Sequence, residues 1–395
     1  MFLRYILYYL IACAKPLTIT LEATVVDECA GACFVVEGSS GQDGRVCTGP
    51  LAPGVQTLTF EDGDRVATAT VDVRPFGYDY GLDRPSAHLA TVPWTPIVEG
   101  LADGPILEGD PDAWDASSVM APATIGWGDE QLLFYAGTAQ EHYALGLATR
   151  TSVNGPYEKY EGNPILWPGP PGTTDGSWKN WAQNTPEPEV VGDELWLYYN
   201  GQGVSDGRLS IGLAVGSDPR ALVDIDANPV LAGTGNPDDW DGRGVAHPSV
   251  VQRDGVFELW YASGTDFALG YAVSSDGVEF ERYCNNPVFS GQGAQTWDRG
   301  HVKAPEVWFD EGDETYFMTY SGCDKGCYQV GWAASSDGLR WVAAPEPVVP
   351  SGQADWSAQA TREAYLAPHD GTLGFVFTGN DGDIERIGQG HAPLN

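Results

Sequence analysis

Basic residues are scarce: 20 Lys plus Arg stand against 55 Asp plus Glu in 395 residues, a formal net charge of −35. That balance excludes a nucleic-acid-binding role, which needs a basic footprint on phosphates. An anionic membrane surface would repel the chain as well. Lysine itself is rare, 5 residues against 15 Arg, so the surface is acidic and Lys-poor. Long apolar runs are missing too. The longest at the N-terminus, residues 5–12, falls short of the roughly 20 residues that span a bilayer. Metal-ligand spacing is absent: Cys29/Cys33 and Cys323/Cys327 are CxxxC pairs without companion histidines. No long hydrophobic helical pattern occurs.

What is abundant points to strands. Gly is 50 and Pro 28, with 14 Trp and 18 Tyr, so many short strands joined by tight turns are expected. Charged residues are 19% and hydrophobic residues 42%, which excludes a disordered acidic tail. The chain opens with Arg4 ahead of the short apolar run, then Leu10-Ile11-Ala12-Cys13. These residues resemble a bacterial lipoprotein signal, and the resemblance implies that Cys13 becomes the lipidated N-terminal residue. An uncleaved hydrophobic N-terminus is the plain alternative. Six other cysteines remain: Cys29, Cys33, Cys47, Cys284, Cys323 and Cys327. An even number suits disulfides in an exported protein, with connectivity left open.

Residues 17–74 alternate apolar and polar in short stretches, such as Leu17-Thr-Ile-Thr-Leu21, separated by Gly-rich turns. A period of two means strand. About five strands in this span predict a small β-sandwich of immunoglobulin-like type. The expected organisation is a signal over 1–13, this module over 14–75, a linker over 76–89 and the main body over 90–395.

The main body repeats five times. Each unit opens on a Pro before an aliphatic residue: Pro105, Pro164, Pro229, Pro287 and Pro347, spaced 59, 65, 58 and 60 apart. A Trp follows in each: Trp114, Trp178, Trp240, Trp297 and Trp356. Eight residues after each Trp stand Pro122, Pro186, Pro248, Pro305 and, in the fifth unit, Ala364. An aromatic-x-Gly strand and an aliphatic-Gly-x-Ala strand come next, then turns such as Ser275-Asp-Gly277. Four strands per unit and five units predict an all-β fold, a five-bladed β-propeller. The fifth unit ends near Ile387 before its outer strand, so residues 90–100 are expected to supply that strand and close the ring.

The run Asn-Pro-Val-Leu … Trp-Asp … Pro-x-Val … Leu-Trp-Tyr-x-Gly … Ile-Gly-x-Ala resembles the five-bladed glycosidase propellers: the arabinanase/β-xylosidase and invertase/levanase families and the neighbouring mannoside phosphorylases. The resemblance implies a carbohydrate substrate at the axis. In the arabinanase-like families it also implies a catalytic Asp before the first-strand Pro of blade one, and the matching residue here is Ala121. None of the five equivalent positions reads Asp-Pro.

Residues that break the repeat beside the first-strand Pro are the candidates for the site. Glycoside cleavage needs two carboxyls, and the acids available are Glu363, in the pre-Pro slot of blade five, with Glu187 and Glu306. Asn184, His247, Lys303 and Arg362 fill neighbouring slots. In the entry loops, Trp181 offers a ring for a sugar, Arg243 and His301 offer polar contacts to a carboxylated or sulfated one, and Asp115 offers a carboxylate. Trp127 does not recur either. Asp115, Asp241 and Asp298 recur after the repeat Trp, which favours loop capping for them. No metal and no cofactor is required. Ca²⁺ is a weak alternative on Asn380-Asp-Gly-Asp383 or Asp224-Ile-Asp226, neither with a recognised spacing.

Two functions stay open: an exported, envelope-anchored enzyme of glycoside-hydrolase type, or a propeller that binds glycan or a protein partner without catalysis. A monomer, with carbohydrate as partner and no nucleic acid, is expected in either case.

Overall fold

The repeat tryptophan explains the blades. In each of the five units of the computed structural model, its ring stacks on an aromatic of the second strand: Trp114 on Tyr135, Trp178 on Tyr199, Trp240 on Tyr261, Trp297 on Tyr320 and Trp356 on Phe377, with centroids 5.5–5.8 Å apart. The indole lies flat against glycine. A Cβ on Gly146, Gly212, Gly270 or Gly388 would come within 2.7 Å of it. The Gly columns of the repeat are therefore the floor on which the Trp rests, since no real Cβ fits there.

The structure describes residues 18–21, 25–29, 33–37, 43–62, 65–82, 84–85, 88–101, 103–139, 142–152, 155–168, 178–205, 207–264, 268–293, 296–324, 326–369 and 371–394. The lipidation position Cys13 lies outside them. The chain divides into two units, residues 1–87 with 283–285, and residues 88–282 with 286–395.

Among the described residues, the first unit has six strands in two three-stranded sheets, one of them with the parallel pair Val25–Asp27 and Arg65–Arg74. Residues 76–87, expected as a linker, belong to this unit. Phe76 and Leu82 are buried, and Arg84 Nε donates to Phe76 O at 2.9 Å. Cys29 and Cys284 form a disulfide within the same unit. Cys47 is also disulfide-bonded. Cys323 and Cys327 are free, against the expectation that every cysteine pairs. Cys323 is turned inward, its Sγ accepting from Gly326 N–H, while Cys327 is exposed.

The second unit is a succession of antiparallel meanders. Their first strands are Ser118–Trp127, Ala182–Val191, Val245–Arg253, His301–Asp310 and Ala360–His369. Each pairs with the next strand of its own unit and packs against the first strands of its neighbours, the last against the first, which closes a propeller ring. In three units the Asn before the opening Pro pins the edge. Asn163, Asn228 and Asn286 each accept from, and donate to, one backbone residue of the third strand (Leu147, Leu213 and Tyr271). The side-chain amide does the work of a ladder pair.

Closure differs from the expected strand. Residues 90–100 touch the last strand, Glu385–Pro393, by a single bridge, Glu99 to His391. They act mainly by packing, over a cluster shared by the fourth and fifth blades. Trp94 lies 5.0 Å from Phe317 and 5.2 Å from Trp332, whose Nε1 donates to Trp94 O. Leu89, Val92, Val98 and Leu101 join the same cluster.

Candidate functional site at the propeller axis

All five first strands break in the same way at the same place. Their register shifts where two residues oppose one: between Met120 and Ala123, Asn184 and Glu187, Ala246 and Ser249, Lys303 and Glu306, and Arg362 and Tyr365. The residue before the Pro, or before Ala364, is left-handed in each: Ala121, Thr185, His247, Ala304 and Glu363, with φ of 48–53°. A bulge leaves one residue without a ladder partner, and Pro, which has no N–H, fits that slot. Left-handed backbone is rare away from glycine, above all for a β-branched Thr, and it gathers at functional sites. Here it aims five side chains at one point.

That point is a cavity of about 330 Å³, counting its open mouth, lined by the five left-handed residues, the four prolines, Ala364, Glu187, Glu306 and Tyr365.

Glu363 is the centre of its upper layer. The side chain is 8% exposed, 3.5 Å from Lys303 Nζ and 3.6 Å from Arg362 Nε. Burial alone would raise this carboxyl, but the charges of Arg362 and Lys303, with the Thr378 hydrogen bond, outweigh it and hold it at about 2. Thr378 Oγ1 donates to Glu363 Oε2 at 3.0 Å and accepts from Ala121 N–H at 2.8 Å, while Ser321 Oγ accepts from Glu363 N–H at 2.8 Å. Thr378 thus ties the carboxylate to the slot that Ala121 fills in blade one.

Around it, Arg362 is also paired with Glu385, and Lys303 lies 4.8 Å over the Tyr328 ring. Burial lowers the Lys303 ammonium. His247 is held at about 3 by burial and the Lys303 charge, so it is a neutral imidazole, and its buried Nδ1 has no hydrogen-bond partner among the described residues. Asn200 binds Asn184 and Thr185 through its side-chain amide and accepts from His247 N–H at 3.4 Å.

One residue past the Pro, a second layer holds Glu187 and Glu306, 2% and 8% exposed. Burial raises both, and each is hydrogen-bonded to the other. Two buried carboxyls in contact share a proton. Val250 N–H donates to Glu187 at 2.9 Å, and the neighbouring Glu189 is pushed up to about 8 by burial. The three candidate acids therefore fall into two classes, one ionised carboxylate above and one proton-sharing pair below.

Asn184, Lys303 and Arg362 each stand one residue before a lining residue without lining the cavity themselves, and five further candidates lie away from it. Asp115 is fully buried in blade one, accepting from Tyr135 Oη at 3.1 Å and from Lys159 Nζ at 2.6 Å. Its carboxylate is consumed by the scaffold. Trp181 meets Tyr143 edge-on at 6.1 Å, and His142 bonds its carbonyl. Arg243 and His301 are exposed on the approaches to their first strands. Trp127 packs against a blade core.

No group of three or more His, Cys, Asp or Glu that could hold a metal occurs among the described residues. The acids suggested for Ca²⁺ are engaged elsewhere: Asp381 by Arg386 and the Asp383 and Ile384 amides, Asp224 by Lys179 and Tyr199. Ser321, Thr378 and Asn200 were missed from sequence. They occupy the residue before the second-strand Gly (Ser321-Gly322, Thr378-Gly379, Asn200-Gly201), where blade one has Ala136. Seeking repeat-breakers on second strands as well as first would have found them.

No family model matches the chain. The uncharacterized proteins Rv1502 and MT1551 of Mycobacterium tuberculosis are each 29% identical over 191 residues, 44% of this chain and 60% of theirs. The chain thus spans three fifths of the length of these curated relatives. Similar solved structures include β-1,2-mannobiose phosphorylase from Listeria innocua (TM-score 0.59, 11% identity, 76% of this chain and 97% of that one). Another comes from the GH130 family of mannoside phosphorylases, described as containing hydrolases of β-1,2 mannosidic linkages in Candida mannan (0.60, 14%, 77% and 96%). A third is a thermostable family-43 glycoside hydrolase (0.54, 16%, 71% and 91%). At these identities the likeness establishes the fold, that of the glycoside-hydrolase-like propellers.

Proposed function

We propose that the protein is an exported, carbohydrate-active propeller that takes an oligo- or polysaccharide at the axial cavity, anchored to the cell envelope through a lipid on Cys13. The observation that supports this is the convergence of five left-handed bulges on one ionised carboxylate, two cations and a neutral histidine. Ordinary stability does not require that set. Strain and buried charge are retained where they bind or react with something.

In the catalytic form of this reading, Glu363 is the base or nucleophile, because it is ionised throughout the working pH range. The proton for the leaving oxygen comes from the Glu187–Glu306 pair, whose raised values keep a proton available at neutral pH. Neutral His247, with a free Nδ1, and Asn184 orient sugar hydroxyls. The second reading is glycan binding without cleavage. It is favoured by Ala121 in the slot where an Asp would stand, and by the mutual hydrogen bond of Glu187 and Glu306.

Residues 14–395 incubated with plant, marine and fungal polysaccharides and aryl glycosides, with reducing ends read out, test both. Release that Glu363→Gln abolishes supports the enzyme. Retention on one glycan without release supports the binder. Neither release nor retention removes the carbohydrate reading. Envelope anchoring is tested separately: Cys13→Ser should move the protein from the membrane to the soluble fraction.

A further inference from the structure

The charge inventory singles out one residue. The protein carries 55 acidic side chains, and among the described residues its cations are almost all taken up by them or by carbonyl and amide oxygens. Lys159, Lys179 and Lys303 are ion-paired. So are Arg74, Arg220, Arg253, Arg282, Arg299, Arg340, Arg362 and Arg386. Arg84 and Arg150 donate to Phe76 O and the Gln131 amide, and Arg208 has a partner as well. Among the described side chains, Arg243 is the one Lys or Arg left without an ion pair or hydrogen bond. In a chain of net charge −35, a guanidinium without an internal carboxylate is unusual.

Its position is as telling as its freedom. Arg243 is exposed and stands four residues before His247, which lines the axial cavity. Gly244 begins the approach, bridging Leu209, and the first strand starts at Val245. Four residues of extended chain span at most about 14 Å. That span is on the scale of one or two sugar units, counted out from a ring placed at Glu363. Nothing at the cavity itself is free to take a second anion. Lys303 and Arg362 are committed to Glu363 and Glu385. Everywhere else the protein repels acidic ligands.

We propose that Arg243 selects an acidic glycan, binding the carboxylate of a uronic acid or the sulfate of a sulfated sugar next to the axial cavity. The two anions share one chemistry, since a planar fork of N–H donors matches either bidentately. This rests on the carbohydrate reading above and deepens it. The attraction is local against a repulsive whole. The preference for the acidic series should therefore shrink as salt rises and when the guanidinium is removed.

The full chain titrated calorimetrically with oligogalacturonides, sulfated galactan oligosaccharides, and neutral xylo- and manno-oligosaccharides of equal length is the test. At least tenfold tighter binding of one acidic series is expected. Arg243→Ala should weaken that series about tenfold and leave the neutral series unchanged, and Arg243→Lys should recover only part of the loss. The preferred series distinguishes carboxylate from sulfate. Equal affinity for neutral and acidic chains, or an Arg243→Ala protein that binds acidic chains unchanged, overturns the inference while the carbohydrate reading stands. No binding of any series removes both. Because Arg243 is exposed and unpaired, its variants should melt with the parent protein, which confirms that a lost ligand is not a lost fold.

Discussion

At the residue scale, the axis sets opposite electrostatic demands on neighbouring carboxyls. Glu363 lies below its ordinary value, at about 2, so its contribution to stability is complete above about pH 4.5 and lost as pH falls through 2. Glu187, Glu306 and Glu189 lie above theirs, so their contribution is complete below about pH 4.5 and declines as pH rises, for Glu189 through about 8. The expected result is a melting temperature that falls between pH 5 and pH 8.5. In Glu189→Gln that slope should flatten, as scanning calorimetry across the range would reveal; an unchanged slope would place the titration elsewhere. Thr378→Val gives a second prediction. It removes a donor to Glu363 and the acceptor of Ala121 N–H, buried groups whose loss costs about 1–3 kcal/mol. The carboxyl of Glu363 should then titrate at a higher pH, readable by carbon-detected NMR of labelled glutamate.

At the scale of the element, the blades show how far a sequence carries. The Trp, the eight-residue offset and the two Gly columns are legible because each is a steric requirement that recurs in at least four of the units. Gly212→Ala would put a Cβ 2.4 Å from the Trp178 ring, and overpacking of this sort costs about 1–3 kcal/mol, which urea denaturation would measure. The bulge was not legible. Strand patterning reports which face a residue occupies, not whether one extra residue turns it through a left-handed angle, and no glycine marks the spot. Ala304 is the cleanest probe: it is left-handed at φ 48°, with no side-chain hydrogen bonds to lose. Ala304→Gly should leave stability unchanged or raise it by about 1 kcal/mol, an unusual outcome for Gly inside a strand. A clear loss would mean that the left-handed slot is not strained.

Over the whole molecule, closure depends on residues outside the repeat. Trp94 packs at a tilt against Phe317 and Trp332 of the fourth blade and accepts the indole N–H of the latter, within a cluster that the fourth and fifth blades share. Removing a packed Trp costs about 3–5 kcal/mol when fully buried, and Trp94 is partly so. Trp94→Ala should therefore lose about 2–3 kcal/mol in chemical denaturation. A loss below about 0.5 kcal/mol, on the order of an ordinary surface substitution, would mean that the cluster between the fourth and fifth blades does not need this cover. From sequence, the need for a cover was visible in the missing strand. Its form was not, because packing of Leu89, Val92 and Trp94 has no period to reveal it. The candidate site shows the same limit. Glu363, Lys303 and Arg362 broke a pattern and were found. Thr378 and Ser321 act through bonds reaching 15 and 42 residues along the chain, which no local reading supplies.

The stacked aromatics carry a lesson about inheritance. In blades one, three and four, the residue after the repeat Trp is Asp, and the tyrosine beneath donates to it: Tyr135 to Asp115, Tyr261 to Asp241 and Tyr320 to Asp298. Blade two has Lys179 in that place, and Tyr199 turns to Asp224. Blade five has Ser357, and its aromatic is Phe377, with no hydroxyl to satisfy. Donor and acceptor are present together or missing together. If the blades arose as copies of one ancestor, each has since kept its ledger balanced on its own, so a single chain holds five independent outcomes of the same drift. A family history that normally takes many species to assemble is written here within one molecule.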